Sequence, residues 1–97
     1  MASRGIDFKK LAEVCRRNDV PRLLLFGSVA RGEATDRSDV DLIAELPRDK
    51  SLLDVVRIER EFSVAIGRKV DLLTEEAISP YIRERIRDDL RVVYEAS

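Results

Sequence analysis

The sequence predicts a small α/β domain, a mixed β-sheet flanked by helices, with its elements in the order αβ(α)βαβα(β). Three observations carry that expectation. Apolar runs of strand length recur at residues 22–26, 39–46 and 68–74. The segments around them repeat apolar residues at helical spacing. Start and stop residues stand at the junctions: Asp7, Ser51 and Ser79-Pro80 where helices should begin, Gly67 where one should end.

Taken in order, residues 7–18 form a helix: Asp7 caps it, and Phe8, Leu11, Ala12 and Cys15 recur at i, i+3, i+4 and i+7. Asn18-Asp19 ends it and Pro21 follows. "RLLLF", residues 22–26, is a strand buried on both faces. Gly27-Ser28 opens a tight turn into a short helical turn at Val29–Arg31, which Gly32 ends in a left-handed conformation. The second strand alternates, with Asp39, Asp41, Ile43 and Glu45 on one face and Val40, Leu42, Ala44 and Leu46 on the other, until Pro47 closes it. Ser51 and Asp54 form a capping box for a helix whose core face is Leu52, Val55, Val56, Phe62 and Ile66. "RKVDLLT", residues 68–74, is the third strand. Ser79-Pro80 starts a last helix lined by Ile82, Ile86 and Leu90, and "VVYE" at 92–95 adds an edge strand.

The whole fits one domain: 97 residues, 44% hydrophobic and 38% charged. With 18 basic against 19 acidic residues the net charge is −1, so no general footprint for nucleic acid is present. The chain has no histidine and one cysteine, which excludes histidine–cysteine zinc sites, a Ser-His-Asp triad and an internal disulfide. Cys15 reads as a buried core thiol. "MASRGIDFKK" lacks the apolar stretch of a signal peptide and no run reaches membrane-spanning length, so the expected location is the cytoplasm.

The chemistry lies in the acids. Asp39 and Asp41 share a strand face with Cα atoms roughly 7 Å apart, so their charges repel unless something positive lies between them. Asp71 stands among Val70, Leu72 and Leu73, where a charge is costly unless paired or metal-bound. If the third strand lies beside the second, Asp71 joins the other two. Three converging carboxylates make a hard-cation site for Mg²⁺ or Mn²⁺. Gly27 lets a ligand approach the backbone, Ser28 offers a hydroxyl donor, and Arg31 a cation. Together they fit metal-assisted transfer at a nucleoside triphosphate.

Each feature has a plainer reading when taken alone. Gly27-Ser28 is then a turn, Asp39 and Asp41 the solvated face of an edge strand, and Asp71 a surface acid. Arg31 equally braces its loop against Asp36 or Glu33, and Glu45 reads as rim rather than ligand. Arg37 reads as solvated, "YIRERIRDDLR" as mainly an exposed helix face, and Tyr81 and Tyr94 stay open between packing and partner contact.

Gly27-Ser28, Ala30-Arg31-Gly32 and Ser38-Asp39-Val40-Asp41-Leu42 resemble the GS-x-ARG…SD-x-DL signature of the DNA polymerase β-like nucleotidyltransferases, and Asp71 stands where that family places its third carboxylate. Length and the "VVYE" ending are most similar to the minimal nucleotidyltransferases (MNT proteins), which pair with helical HEPN toxins. The resemblance implies the polymerase β-like fold, with Gly27, Ser28 and Arg31 as nucleotide-binding residues. It implies Asp39, Asp41 and Asp71 as catalytic metal ligands, ATP as substrate, and AMP transfer to a hydroxyl of a HEPN partner with release of pyrophosphate. Every signature position is filled. The alternatives are an antitoxin that inhibits its HEPN partner by contact alone and a small-molecule nucleotidyltransferase. The latter usually carries an additional acceptor domain, which 97 residues cannot supply.

Overall fold

The structure, a computed structural model, describes residues 6–32 and 39–96, apart from the side chains of Ser28 and Val29. Helix α1 (Phe8–Arg17) begins where the Asp7 carboxylate accepts from the backbone N–H groups of Lys9 and Lys10. It leads into β1 (Arg22–Phe26), the single turn α2 (Gly27–Ala30), β2 (Val40–Glu45) and α3 (Leu52–Ile66). Then follow β3 (Val70–Thr74), a 3₁₀ turn (Glu75–Ala77), α4 (Pro80–Ile86), a second 3₁₀ turn (Arg87–Asp89) and β4 (Arg91–Glu95). The expected α/β class and order are observed, including the edge strand.

The sheet runs β3-β2-β1-β4, with β2 and β3 parallel and the other pairs antiparallel. Its two faces are covered unequally. Leu23, Leu25, Val40, Leu42 and Ala44 pack beneath α1 and α3 in the main core around Phe62. On the opposite face Leu24 and Ile43 meet Ile78, with Phe26, Ile86 and Leu90 partly covering them. Asp41 belongs to this second, thinner face, since Phe26 lies opposite it and Ile43 follows two residues on.

Helix α3 begins in the expected capping box, in which Ser51 and Asp54 satisfy each other's backbone N–H groups. Its core stripe is narrower than the sequence suggests. Ile58, Phe62 and Ile66 are buried and Val55 half-buried, whereas Leu52 and Val56 are exposed. The flank bearing Glu59 and Ser63 explains the difference, because it faces the edge strand. Glu59 accepts from the Leu72 N–H at 2.8 Å and Ser63 from the Val70 N–H at 3.0 Å. Leu52 and Val56 fall on this same flank, nearer the start of the helix, and stay exposed. The other flank joins α1 through Asn18, buried, which donates to Val14 O and Glu61 and accepts from Arg57.

The last helix also differs from expectation. It stops at Ile86 and tightens into the 3₁₀ turn before Leu90, so Ile86 and Leu90 reach the second core while Ile82 is left exposed. Cys15 is buried as expected, and burial pushes its thiol up to about 12. Tyr94 packs against the main core with Arg16 over its ring, and Tyr81 is exposed beside Arg85.

Candidate active site

Parallel pairing of β2 with β3 places Val40 against Val70 and Asp41 against Asp71. Neighbouring strands lie about 4.8 Å apart, so two carboxylates leave the same sheet face side by side. Asp39 stands one residue before β2 and its charge also acts on Asp41. The Asp41 carboxyl is held above its ordinary value, first by burial and then by the charges of Asp71 and Asp39, with Arg31 opposing them. The three acids that the sequence singled out therefore form one electrostatic cluster.

Two cations that answer the repulsion were not foreseen in these positions. Lys69 Nζ lies 3.8 Å from Asp39 Oδ2, reaching it from the residue before β3. Arg31, at the end of α2, lies close enough to lower the Asp41 pKa, and its Nη1 donates to Asp89 Oδ2 at 3.0 Å. The expected partners Glu33 and Asp36 lie outside the described residues, as do Arg37 and Ser38. The sequence offered one signal for Lys69, its place two residues before Asp71. For Asp89 it offered none, because the contact spans 58 residues.

Gly27 joins strand and turn with φ +79°, which a residue with a side chain adopts only under strain. Space imposes a second requirement, since a Cβ at this position would collide with Asp41 Oδ2. The glycine thus brings the backbone of the turn directly against the acid cluster. The helical turn spans Gly27–Ala30, closed by Arg31 N–H donating to Gly27 O at 3.1 Å, and Gly32 has the expected positive φ. A single turn sums few peptide dipoles, so the close backbone, rather than a helix dipole, is what this corner offers an anion. The Ser28 hydroxyl falls outside the described side chains.

Glu45 is exposed at the far end of β2, opposite Arg22 on β1, in keeping with its reading as rim. A cavity of about 580 Å³ opens at that same end, between Leu46, Ser51, Val55 and Leu72. The acids stand at the other end of the strands.

Carboxylate oxygens are the donor set that Mg²⁺ and Mn²⁺ prefer, and a divalent cation would relieve the repulsion that raises Asp41. Among the described residues no three such side chains are already closed into a cation cage. Asp39 is turned to Lys69 instead. The acids are neighbours with oxygens to offer, and they fit the group.

The profile of the nucleotidyltransferase domain family matches residues 8–93. A protein of Methanocaldococcus jannaschii named "Putative protein adenylyltransferase MJ0435" is 37% identical over 81 residues, which cover 84% of this chain and 87% of the relative. Among solved structures, a toxin–antitoxin complex with AMP-PNP superposes with a TM-score of 0.81 at 17% identity, over 95% of this chain and 76% of the other. The tri-AMPylated HEPN toxin of Shewanella oneidensis in complex with its MNT antitoxin gives 0.71 at 15% identity, over 92% and 70%. At these identities the two complexes establish a shared fold.

Proposed function

The chain belongs to the nucleotidyltransferase domain family, and from that premise we propose that it transfers AMP from ATP to a hydroxyl of a HEPN-type partner protein and so acts as the antitoxin of the pair. The observation that carries the proposal is the β2–β3 register, which sets Asp41 beside Asp71 with the Gly27 backbone against Asp41. The name of the archaeal relative supports adenylyl as the group transferred. The two complexes support ATP as its source and a HEPN protein as its acceptor. We place the reaction in the cytoplasm, where ATP is supplied.

Asp39, Asp41 and Asp71 are the residues that would hold Mg²⁺, with Mn²⁺ as the substitute. When bound, the metal supplies charge neutralisation and orientation for the triphosphate. Gly27 leaves room for the phosphate chain to lie along the backbone, the Ser28 hydroxyl donates to it, and the Arg31 guanidinium adds a fixed positive charge. Asp71, on the edge strand, faces the acceptor and draws the proton of its hydroxyl. The hydroxyl oxygen then bonds to the α-phosphorus as the bond to pyrophosphate breaks.

The test mixes the chain with its HEPN partner, ATP and Mg²⁺ and follows the partner by intact mass. Addition of AMP is expected, and Asp39→Asn or Asp41→Asn should slow it on the order of 10³-fold or more while the two proteins still co-elute. Neutralisation of the toxin by those variants without any AMP added would mean that contact alone inhibits it.

A further inference from the structure

The sequence treats Asp89 as one more charge on an exposed helix face, yet the fold brings it to the signature turn. Strand β4 runs antiparallel to β1 with Arg91 opposite Leu25. Followed two residues past Leu25 the chain reaches Gly27; followed two residues back from Arg91 it reaches Asp89. Register thus delivers Asp89 to the end of the sheet where the GS turn begins. There its carboxylate accepts from Arg31 Nη1 at 3.0 Å, with both side chains partly covered. Asp89 closes the 3₁₀ turn Arg87–Asp89, whose end is fixed by Leu90 N–H donating to Arg87 O at 3.4 Å and then by the β4 ladder. The acceptor therefore sits on ordered backbone.

We propose that Asp89 is a positioning residue, holding the Arg31 guanidinium at the mouth of the acid cluster in the orientation that receives the nucleotide's phosphates. The proposal rests on Arg31 as a nucleotide-binding residue. A guanidinium carries five donors in a rigid plane, so fixing one edge aims the rest. An arginine that must freeze a long side chain when the phosphate arrives binds it less well, and Asp89 contributes to holding this one beforehand. Against this stands the repulsion between the Asp89 carboxylate and a polyanion. The two effects have opposite signs: if aim dominates, removing Asp89 weakens nucleotide binding, and if repulsion dominates it strengthens it. The effect of Arg31 on Asp41 shows that the guanidinium already lies near the acids, which favours aim.

Calorimetry of a non-hydrolysable ATP analogue with Mg²⁺ reads this without any transfer. Asp89→Ala should raise Kd on the order of fivefold, Asp89→Glu should recover part of the loss, and adding Asp89→Ala to Arg31→Ala should change little further. In transfer assays KM should rise with kcat nearly constant. The isosteric Asp89→Asn, melted alongside, controls for folding. If Asp89→Ala and Asp89→Asn bind the analogue as tightly as the unaltered chain or tighter, while Arg31→Ala binds weakly, Asp89 has no positioning role. A lowered Tm with unchanged affinity would overturn the proposal equally and leave the pair as a brace for the C-terminal segment. If Arg31→Ala itself binds normally, the assignment of Arg31 fails and the proposal with it.

Discussion

At the scale of single residues, Asp41 carries the clearest conflict between folding and a proposed role. Its carboxyl is raised above the ordinary 3.8 by burial first, then by Asp71 and Asp39. Ionising it thus costs more in the folded chain than in the unfolded one. The penalty is absent below pH 3.8, grows as pH rises through the elevated folded value, and is complete above that value. Asp41→Asn removes it. In EDTA and without nucleotide, the variant should melt above the unaltered chain at pH 7, and the two melting curves should converge as pH falls toward 3.8. A variant less stable at neutral pH would mean that Lys69 and Arg31 already overcompensate the repulsion. These residues also show what a single sequence reveals. Two aspartates at i and i+2 on a strand announce their shared face, whereas their cations cannot be read the same way. Arg31 meets Asp89 across 58 residues, and Lys69 reaches Asp39 only because β3 lies beside β2.

At the scale of elements, the parallel β2–β3 pair depends on α3 for more than covering. β3 is an edge strand, and its outward N–H groups at Val70 and Leu72 are taken by Ser63 and Glu59. Those bonds blunt an edge that would otherwise present an open ladder, and they fix the strand that carries Asp71. Glu59→Ala leaves the Leu72 N–H without its partner and should cost about 1–2 kcal/mol in urea denaturation, while Glu59→Gln, which keeps an acceptor oxygen, should cost much less. Equal losses would assign the effect to the Glu59 charge. The boundaries of α3 were legible because caps are local: Ser51, Asp54 and Gly67 announce both ends. Its buried face was only half legible. Apolar spacing identifies a stripe, but which of Leu52, Val56 and Ile58 is covered depends on where the edge strand ends. The stop at Ile86 was hidden for a similar reason, because Ile82, Ile86 and Leu90 keep a helical spacing even though the chain tightens before Leu90.

At the scale of the whole molecule, the sheet divides its labour by face. One face buries Leu23, Leu25, Val40, Leu42 and Ala44 under two helices, and the other gives part of its area to carboxylates. Without ligand, that second face works against stability, since like charges are held together beside a thin apolar cluster. If it holds the proposed metal and triphosphate it becomes a source of stability, because anything that binds only the folded state stabilises it by RT ln(1 + [L]/Kd). At free MgATP a hundredfold above Kd the gain is about 2.7 kcal/mol, which for a chain of this size raises Tm by roughly 10 °C or more. ATP with EDTA should give little of that shift, because the acids then repel the phosphates. Asp41→Asn should invert the order: more stable than the unaltered chain when free, less stable when both are given MgATP, since it gains relief from repulsion and loses the ligand. Thermal melts of the two chains in EDTA and in MgATP supply all four values. If the unaltered chain shows the same shift with ATP in EDTA as with MgATP, nucleotide binding does not depend on a metal. If Asp41→Asn keeps the full MgATP shift, Asp41 is not part of the site that holds it.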